Sequence, residues 1–399
     1  MSSAADAAVK IVVHPVKGRC YYATRPIRIS ETVLQTRPFI GVPAYNGIMK
    51  EHCERVCMGC LRWLDHPVGE PIRSALGSPF HVYCSRECEA RDWECYHRFE
   101  YPFFKDLFQP PASLASAYHV DYIRLLSRAM LRRLWELVDS QAGTSAPRRH
   151  GPHEDPHTSF ASLENLCSNE SSTEPEALAA FKKSAAILEA FLTKVVHPEL
   201  ESRGIPFSEF WTTPVNGTLY DKALELICKE EVNVFGLYNF KIGGIHSERQ
   251  CYASAVYTTA VFFNHSCAPN VGHHYIETAE GGGLMTFFAL RDIQEGEELL
   301  ISYVPLSTSS GTNPRANRRA FLKHYFQFDC DCARCESEDD SAVNSNQAAA
   351  QEWRRICEAY ICGIDSCRGW RAPRTPGSLE WVCVACGGVV SVGQSPAGH

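Results

Sequence analysis

No apolar run in this sequence approaches the ~20 residues needed to cross a bilayer, so no membrane association is expected. The first residues, Met-Ser-Ser-Ala-Ala-Asp, lack both a basic stretch and an apolar one, and no secretory signal is expected either. Positive charge is also short. Lys and Arg number 39 against 46 Asp and Glu, a net charge of -7, and a duplex-DNA-binding surface does not follow from that balance. An acidic chain is better suited to a basic peptide. The expected location is cytoplasmic, nuclear or both. Hydrophobic residues at 45% and charged residues at 21% are ordinary globular composition. At 399 residues the chain can bury a large core and form more than one domain.

What the chain has in excess is cysteine, 19 in all. With no secretory signal the expected compartment is reducing, where clustered cysteines hold metal more often than they form disulfides. Cys57-x2-Cys60 stands with Cys84-x3-Cys88, and Cys362-x4-Cys367 stands with Cys383-x2-Cys386. Each set can converge tetrahedrally on one zinc. Cys330-x-Cys332-x2-Cys335 offers three thiolates that want a fourth. Cys20, Cys53, Cys95, Cys167, Cys228, Cys251 and Cys357 are left over and read as buried small hydrophobes.

Residues 10–42 carry β-branched and aromatic runs that read as short strands. Residues 112–138 have helical periodicity through Leu125, Leu126, Ala129, Met130 and Leu134. Their basic side, Arg124, Arg128, Arg132 and Arg133, reads as a solvated face. Residues 139–176 are polar and aperiodic and read as a disordered insertion. Helix returns over 176–196 and again from Leu219 to Val232. Thr286–Leu290 and Leu299–Tyr303 read as strands, and Asn317–Tyr325 as a helix. Trp381-Val382-Cys383 reads as a strand of a small zinc ribbon.

Three motifs occur in order: Phe262-Phe263-Asn264-His265-Ser266-Cys267-Ala268-Pro269-Asn270, then Glu295-Gly296-Glu297-Glu298-Leu299-Leu300-Ile301-Ser302-Tyr303, then Phe328-Asp329-Cys330-Asp331-Cys332-Ala333-Arg334-Cys335. Alone, the first could be a polar turn before a proline. Together they resemble the SET domain of protein-lysine methyltransferases. Cys57 to Cys88, with Tyr83 and Trp93, resembles a MYND zinc finger. A full finger of that family holds two zincs. Here the middle cysteine pair is missing, His97 stands near the late histidine and Tyr101 replaces the last cysteine. One zinc, on Cys57, Cys60, Cys84 and Cys88, is therefore expected, with packing in place of the second.

The resemblance to SET and MYND domain-containing methyltransferases implies an α+β fold, a SET-domain β-clip of short strands. It places an N-terminal SET part at 1–50, the finger at 51–101, a helical insertion at 102–218, the SET core at 219–305 and a post-SET segment at 306–340. A zinc-ribbon-like module follows at 341–399. The resemblance further implies S-adenosylmethionine as methyl donor. Asn264 and His265 would hold its amino-acid end and adenine, Lys17, Arg19 and Asn233 would complete the pocket, and Phe328 would stack on the adenine. Cys20 departs from the family's glycine beside that pocket, where a Cβ would crowd the cofactor. Cys267 would supply the fourth thiolate to Cys330, Cys332 and Cys335, giving three structural zincs per chain. Tyr303 would orient the amine, and Phe326 or Tyr325 would line an aromatic channel. The implied partner is a protein with a basic, lysine-containing segment, and the finger would take a proline-rich peptide. The alternative is a weakly active or inactive SET-like module that recruits partners through its zinc modules.

Overall fold

The β-branched run at the start of the chain forms β1 (Val9–His14), which pairs antiparallel with β2 (Gly18–Ala23). Gly18 takes φ +72° at this turn, a conformation open to glycine because it carries no Cβ. The computed structural model describes residues 8–44, 55–64, 72–73, 81–105, 117–143, 150–151, 154–239, 250–277, 283–306, 314–338, 347–364, 367 and 369–392. Residues 112–116 of the expected helix, Cys53, the Gly243-Gly244 turn and loop residues 307–313 lie outside that set.

After β2 come β3 (Thr32–Thr36) and β4 (Ile40–Pro43). β5 (Ile72–Arg73) pairs with β6 (Val82–Tyr83). Ser85 then caps α1 (Arg86–Asp92) by accepting from the Cys88 amide at 3.2 Å, which satisfies one of the free donors of a helix start. A π-helical turn, Trp93–His97, leads into α2 (Arg98–Phe104). Next come α3 (Ala117–Gln141), α4 (Phe160–Glu164), α5 (Pro175–Phe191), α6 (His197–Ser202) and α7 (Leu219–Asn233). Strands resume as β7 (Val234–Asn239), β8 (Gln250–Val256), β9 (Asn264–His265), β10 (Val271–Glu277), β11 (Gly283–Ala289) and β12 (Leu300–Ile301). Next come α8 (Arg315–Phe326), α9 (Ala333–Ser337), α10 (Gln347–Tyr360), β13 (Arg371–Pro373), β14 (Glu380–Cys383) and β15 (Val389–Ser391).

The strands form several small sheets rather than one. Their orders are β4-β8-β7, β10-β11-β3, β12-β9 and β13-β14-β15, beside the β1-β2 pair. This is the α+β arrangement of short strands expected from the motifs. One core joins the apolar stripe of α3 (Leu125, Leu126, Leu134) to Phe181, Leu188 and Phe191 of α5 and Leu226 of α7. A second fills the space between the strand layers with Tyr21, Phe263, Phe287 and Ile301. A third seats the C-terminal module, through Tyr360 and Trp381, on Phe288 and Leu290.

The arginine face of α3 is not solvated. Arg124, Arg128 and Arg132 are buried. Arg128 binds Glu100 at 2.9 and 2.8 Å and Asp92 at 2.8 Å. Arg124 donates to the Pro43 carbonyl at 3.1 Å. Arg132 donates to the Thr158 carbonyl at 2.7 Å and pairs with Glu154 at 3.6 Å. A guanidinium carries five donors in a fixed fork, so these arginines fasten α3 to its neighbours, Arg128 reaching both α1 and α2.

Arg132 also helps to order the described part of the stretch expected to be disordered, of which residues 144–149 and 152–153 lie outside the described set. Glu154, Thr158, Phe160, Leu163 and Glu164 are buried. Glu154 also accepts from Tyr96 at 2.8 Å. Glu164 accepts from the Thr212 amide at 2.8 Å, from Thr213 at 2.9 Å and from Lys222 at 3.2 Å. The acids that made the segment look unfoldable are partners of cations far off in sequence. Among the leftover cysteines, Cys20, Cys95, Cys228 and Cys357 are buried as expected, whereas Cys251 is only partly covered and Cys167 is exposed.

One buried acid has no such partner. Glu230 on α7 is fully buried, and neither carboxylate oxygen has a hydrogen bond. Burial raises its pKa well above the usual carboxylate range, and Glu231 and Asp121 push the same way. The folded state therefore keeps a proton that the unfolded chain releases above about pH 4.5, and stability falls as pH rises beyond that point, by up to about 1.4 kcal/mol per unit. Glu230→Gln should raise the melting temperature at pH 7.5 by about 2–4 °C or more. The gain should shrink as the pH approaches 4.5, and a gain independent of pH in thermal melts would contradict the assignment.

Candidate active site

The Asn-His motif and the strand that leads to Tyr303 are brought together by a short parallel pair. Leu300 of β12 is in register with Asn264 of β9, and Ile301 with His265. The Ser266 amide donates to the Ile301 carbonyl at 2.8 Å. Asn270 closes the far end, accepting from the Leu300 amide and donating to the Glu298 carbonyl, both at 2.8 Å.

This pairing sets the side chains. His265 Nδ1 accepts from the Tyr303 amide at 2.9 Å. The remaining proton of the neutral ring therefore lies on Nε2, which faces Cys267 Sγ at 3.3 Å. Burial lowers the His265 pKa to about 4 and keeps the ring neutral. The Tyr303 hydroxyl donates to the Phe263 carbonyl at 2.8 Å. Burial raises its pKa, so it remains a phenol. The Tyr303 ring lies 4.8 Å from Phe326 and 5.3 Å from His265, and Phe328 lies 5.9 Å from His265. Tyr325 faces outward and packs on Phe321 at 4.5 Å. Phe326, not Tyr325, is the aromatic residue beside Tyr303.

The other expected residues meet this centre at two places. Lys17 Nζ donates to Glu298 at 2.7 Å, and Asn264 Nδ2 donates to the same carboxylate at 3.0 Å and to Cys20 Sγ at 2.9 Å. Cys20 is fully buried, with its sulfur turned to Asn264. Arg19 instead stands over the Phe262 ring at 4.9 Å and donates to the Asn165 carbonyl. Asn233 donates to the Cys167 carbonyl at 3.0 Å.

Arg19 and Asn233 thus share a wall that the sequence did not reveal, the chain from Asn165 to Asn169. Asn169 extends it to the Phe326 carbonyl at 3.3 Å. Buried Phe160, Leu163 and Leu166 hold this wall down. Their three-residue spacing was the available signal, and it was too short to stand out in a polar stretch.

Three cysteine clusters accompany the site. Cys57, Cys60, Cys84 and Cys88 form one, Cys267, Cys330, Cys332 and Cys335 the second, and Cys362, Cys367, Cys383 and Cys386 the third. Within each, the sulfurs lie within 4.8 Å of one another. Four thiolates at ~2.3 Å from a central zinc stand ~3.8 Å apart at the corners of a tetrahedron. The sulfurs match that spacing: 3.6 Å for Cys60–Cys84, 3.9 Å for Cys267–Cys330, 3.6 Å for Cys335–Cys267 and 3.7 Å for Cys362–Cys386. Disulfides would bring sulfurs to ~2.05 Å. Each cluster offers the closed four-thiolate set of a structural metal site.

Around the second cluster, Arg318 Nη2 approaches Cys335 Sγ at 3.6 Å, and Arg334 donates to the Cys267 carbonyl at 3.3 Å while stacking on Trp353 at 3.8 Å. Both cations suit the excess negative charge of four thiolates around a divalent ion. Beside the first cluster, His97 stacks on His81 at 4.2 Å and meets Tyr101 at 5.7 Å.

The donor set also suits an S-adenosylmethionine molecule. Lys17 and Glu298 offer opposite charges to a zwitterionic amino-acid end, and Asn264 offers a carboxamide beside them. Phe328 offers a face to a planar base.

The fold and this site define a SET-type domain. Residues 18–304 match the family model described as SET domain, and the chain belongs to the SET domain family. Several of its relatives are named as SET and MYND domain-containing proteins. It is 25% identical to human "Protein-lysine N-methyltransferase SMYD4" over 435 residues, covering 92% of this chain and 51% of the relative. It is 21% identical to a SET and MYND domain-containing protein of Dictyostelium discoideum over 388 residues, covering 90% and 87%. The "Potential protein lysine methyltransferase SET6" of Saccharomyces cerevisiae is 36% identical over 106 residues, 27% of this chain and 26% of the yeast protein. The chain spans about half the length of the human relative. Among solved structures, the SET domain of LSMT bound to lysine and AdoHcy aligns with a TM-score of 0.36 at 12% identity, covering 84% of this chain and 55% of that one.

Metal analysis of the purified chain should find three zincs per molecule. Cys332→Ala should lower the count to two while leaving the first and third clusters loaded. A wild-type count of two, or a variant that retains three, would contradict the closed tetrathiolate reading of the second cluster.

Proposed function

We propose that this chain is an S-adenosylmethionine-dependent protein-lysine methyltransferase. One observation carries the reading: the β9–β12 pairing that sets Asn264, His265 and Tyr303 beside Lys17, Glu298 and Phe326. The family membership and the lysine methyltransferases among the relatives support it.

S-adenosylmethionine, when bound, supplies a methyl group on a sulfonium, which an amine can displace in line. The chain's own part is positioning. Lys17 and Asn264 hold the donor's amino-acid end, and His265 contributes its backbone, since its ring is occupied by Tyr303 and Cys267. Arg19 and Asn233 act mainly through the Asn165–Asn169 wall. Phe328 covers the base. The Tyr303 hydroxyl, fixed on the Phe263 carbonyl, orients the incoming amine. Phe326 and Tyr303 together exclude water and lower the amine's affinity for its proton by desolvation. The acceptor is a lysine in a basic protein segment, which suits the acidic chain. All three zincs are structural, because closed thiolate sets leave no open position.

A second reading, a SET-like module that binds partners without catalysis, is favoured by Cys20, whose sulfur engages Asn264 where the resembled family has glycine. The two readings separate in a calorimetric titration of the zinc-loaded chain. The enzyme should bind S-adenosylmethionine with a dissociation constant in the micromolar range, about 1–100 μM. Asn264→Ala should weaken that binding about 10–100-fold, as loss of a hydrogen bond to a charged group does. Tyr303→Phe should leave binding within about threefold yet slow tritiated-methyl transfer to proteome lysines about 100-fold. Transfer by the wild type should accelerate from about pH 7 to 9 as the acceptor amine loses its proton. A folded, zinc-loaded chain that binds no donor would favour the module.

A further inference from the structure

The Glu298 carboxylate is the centre of the polar network in the site. One oxygen accepts from Lys17 Nζ at 2.7 Å and the other from Asn264 Nδ2 at 3.0 Å. The acid side chain is 13% exposed, against 43% for Lys17. The backbone around Glu298 is held on both sides. It bridges Tyr22 of β2, the Ala23 amide donates to the Glu297 carbonyl at 2.9 Å, and the Leu299 amide donates to the Tyr21 carbonyl at 2.8 Å. Lys17, by contrast, precedes the Gly18 turn on a flexible four-carbon stem. The carboxylate is the fixed member of the pair, and the ammonium is the one free to swing.

Burial works against ionisation of Glu298, but hydrogen bonds from Lys17 and Asn264 outweigh it and hold its pKa below the usual carboxylate range. A fixed carboxylate, a swinging ammonium and a carboxamide are the charge complement of an α-amino acid. Such a ligand can enter with charge conserved, exchanging one internal ion pair for two. We propose that Glu298 binds the α-ammonium of the methyl donor while Lys17 takes its carboxylate, so that this pair reads the donor's zwitterionic end. The inference rests on the methyltransferase reading of the site. It adds a binding residue and a basis for rejecting nucleosides that lack the amino-acid end.

The test uses thioether ligands, so that sulfonium charge plays no part. S-adenosylhomocysteine carries the whole zwitterion, aminopropylthioadenosine carries only the ammonium, and methylthioadenosine carries neither. Calorimetric titrations on the zinc-loaded full chain should rank them in that order for the wild type, with about tenfold or more between the last two, the effect of one charged hydrogen bond. Glu298→Gln should weaken S-adenosylhomocysteine about 10–100-fold and change methylthioadenosine less than about twofold.

Unchanged or tighter binding of S-adenosylhomocysteine to Glu298→Gln overturns the proposal, because the carboxylate would then be a bystander or a competitor for Lys17. Equal weakening of all three ligands also overturns it, because Glu298 would then only brace the β2 edge. If Glu298→Gln does not fold, the wild-type ranking decides, and equal binding of aminopropylthioadenosine and methylthioadenosine overturns the proposal. If the wild type binds none of the ligands, the methyltransferase reading itself has failed.

Discussion

The convergence of Cys267 with Cys330, Cys332 and Cys335 is the constraint on which the site depends. Three of these thiols lie on a short post-SET segment, and α9 within it is too short to be stable by itself. The fourth, Cys267, follows the Asn-His pair after one residue, Ser266. A single ion held on the four sulfurs would do two jobs at once: fold the segment that carries Phe328, and fix that segment's distance from His265. The His265 ring links these parts, with one nitrogen on the Tyr303 amide and the other facing Cys267. Cluster and candidate catalytic tyrosine are thus two contacts of the same imidazole. Arg334 carries the link outward through its stack on Trp353 of α10, so the C-terminal module is braced against the same cluster.

A second constraint holds the helical insertion in place. The buried arginines of α3 would be very unfavourable without partners, and the partners lie on the finger helix, on β4 and on the polar stretch after α3. Satisfying those charges presses the three elements onto one helix. The outcome reaches the site, because the stretch so ordered ends in the Asn165–Asn169 wall that Arg19, Asn233 and the Phe326 carbonyl share. A fold assembled from small sheets gains from such ties, since no single sheet spans it.

Much of this was legible in the sequence. Cysteine spacing pointed to the finger and ribbon clusters, and the family resemblance supplied Cys267 to the post-SET trio. Helical periodicity located α3 and α5, and the Gly-Glu-Glu motif pointed to the strand that leads to Tyr303, although β12 itself stops at Ile301. What stayed hidden was polar pairing over long sequence separations. A row of arginines looks the same whether it faces water or carboxylates such as Asp92, Glu100 and Glu154, and a polar insertion looks disordered until its cations are known. The choice between Tyr325 and Phe326 was hidden for another reason. It turns on where α8 ends, and Gln327, with φ +62°, sets that end by leaving the helix in a left-handed conformation that a sequence pattern does not mark.

The central claim is that the second cluster holds the candidate site together, and amide hydrogen exchange on wild type and Cys332→Ala tests it most directly. The account expects residues 264–267, 303–304 and 326–335 to lose protection together in the variant, while α3 and α5 keep theirs. Unchanged protection at 264–267 and 303–304 in a variant that has lost the metal would contradict it.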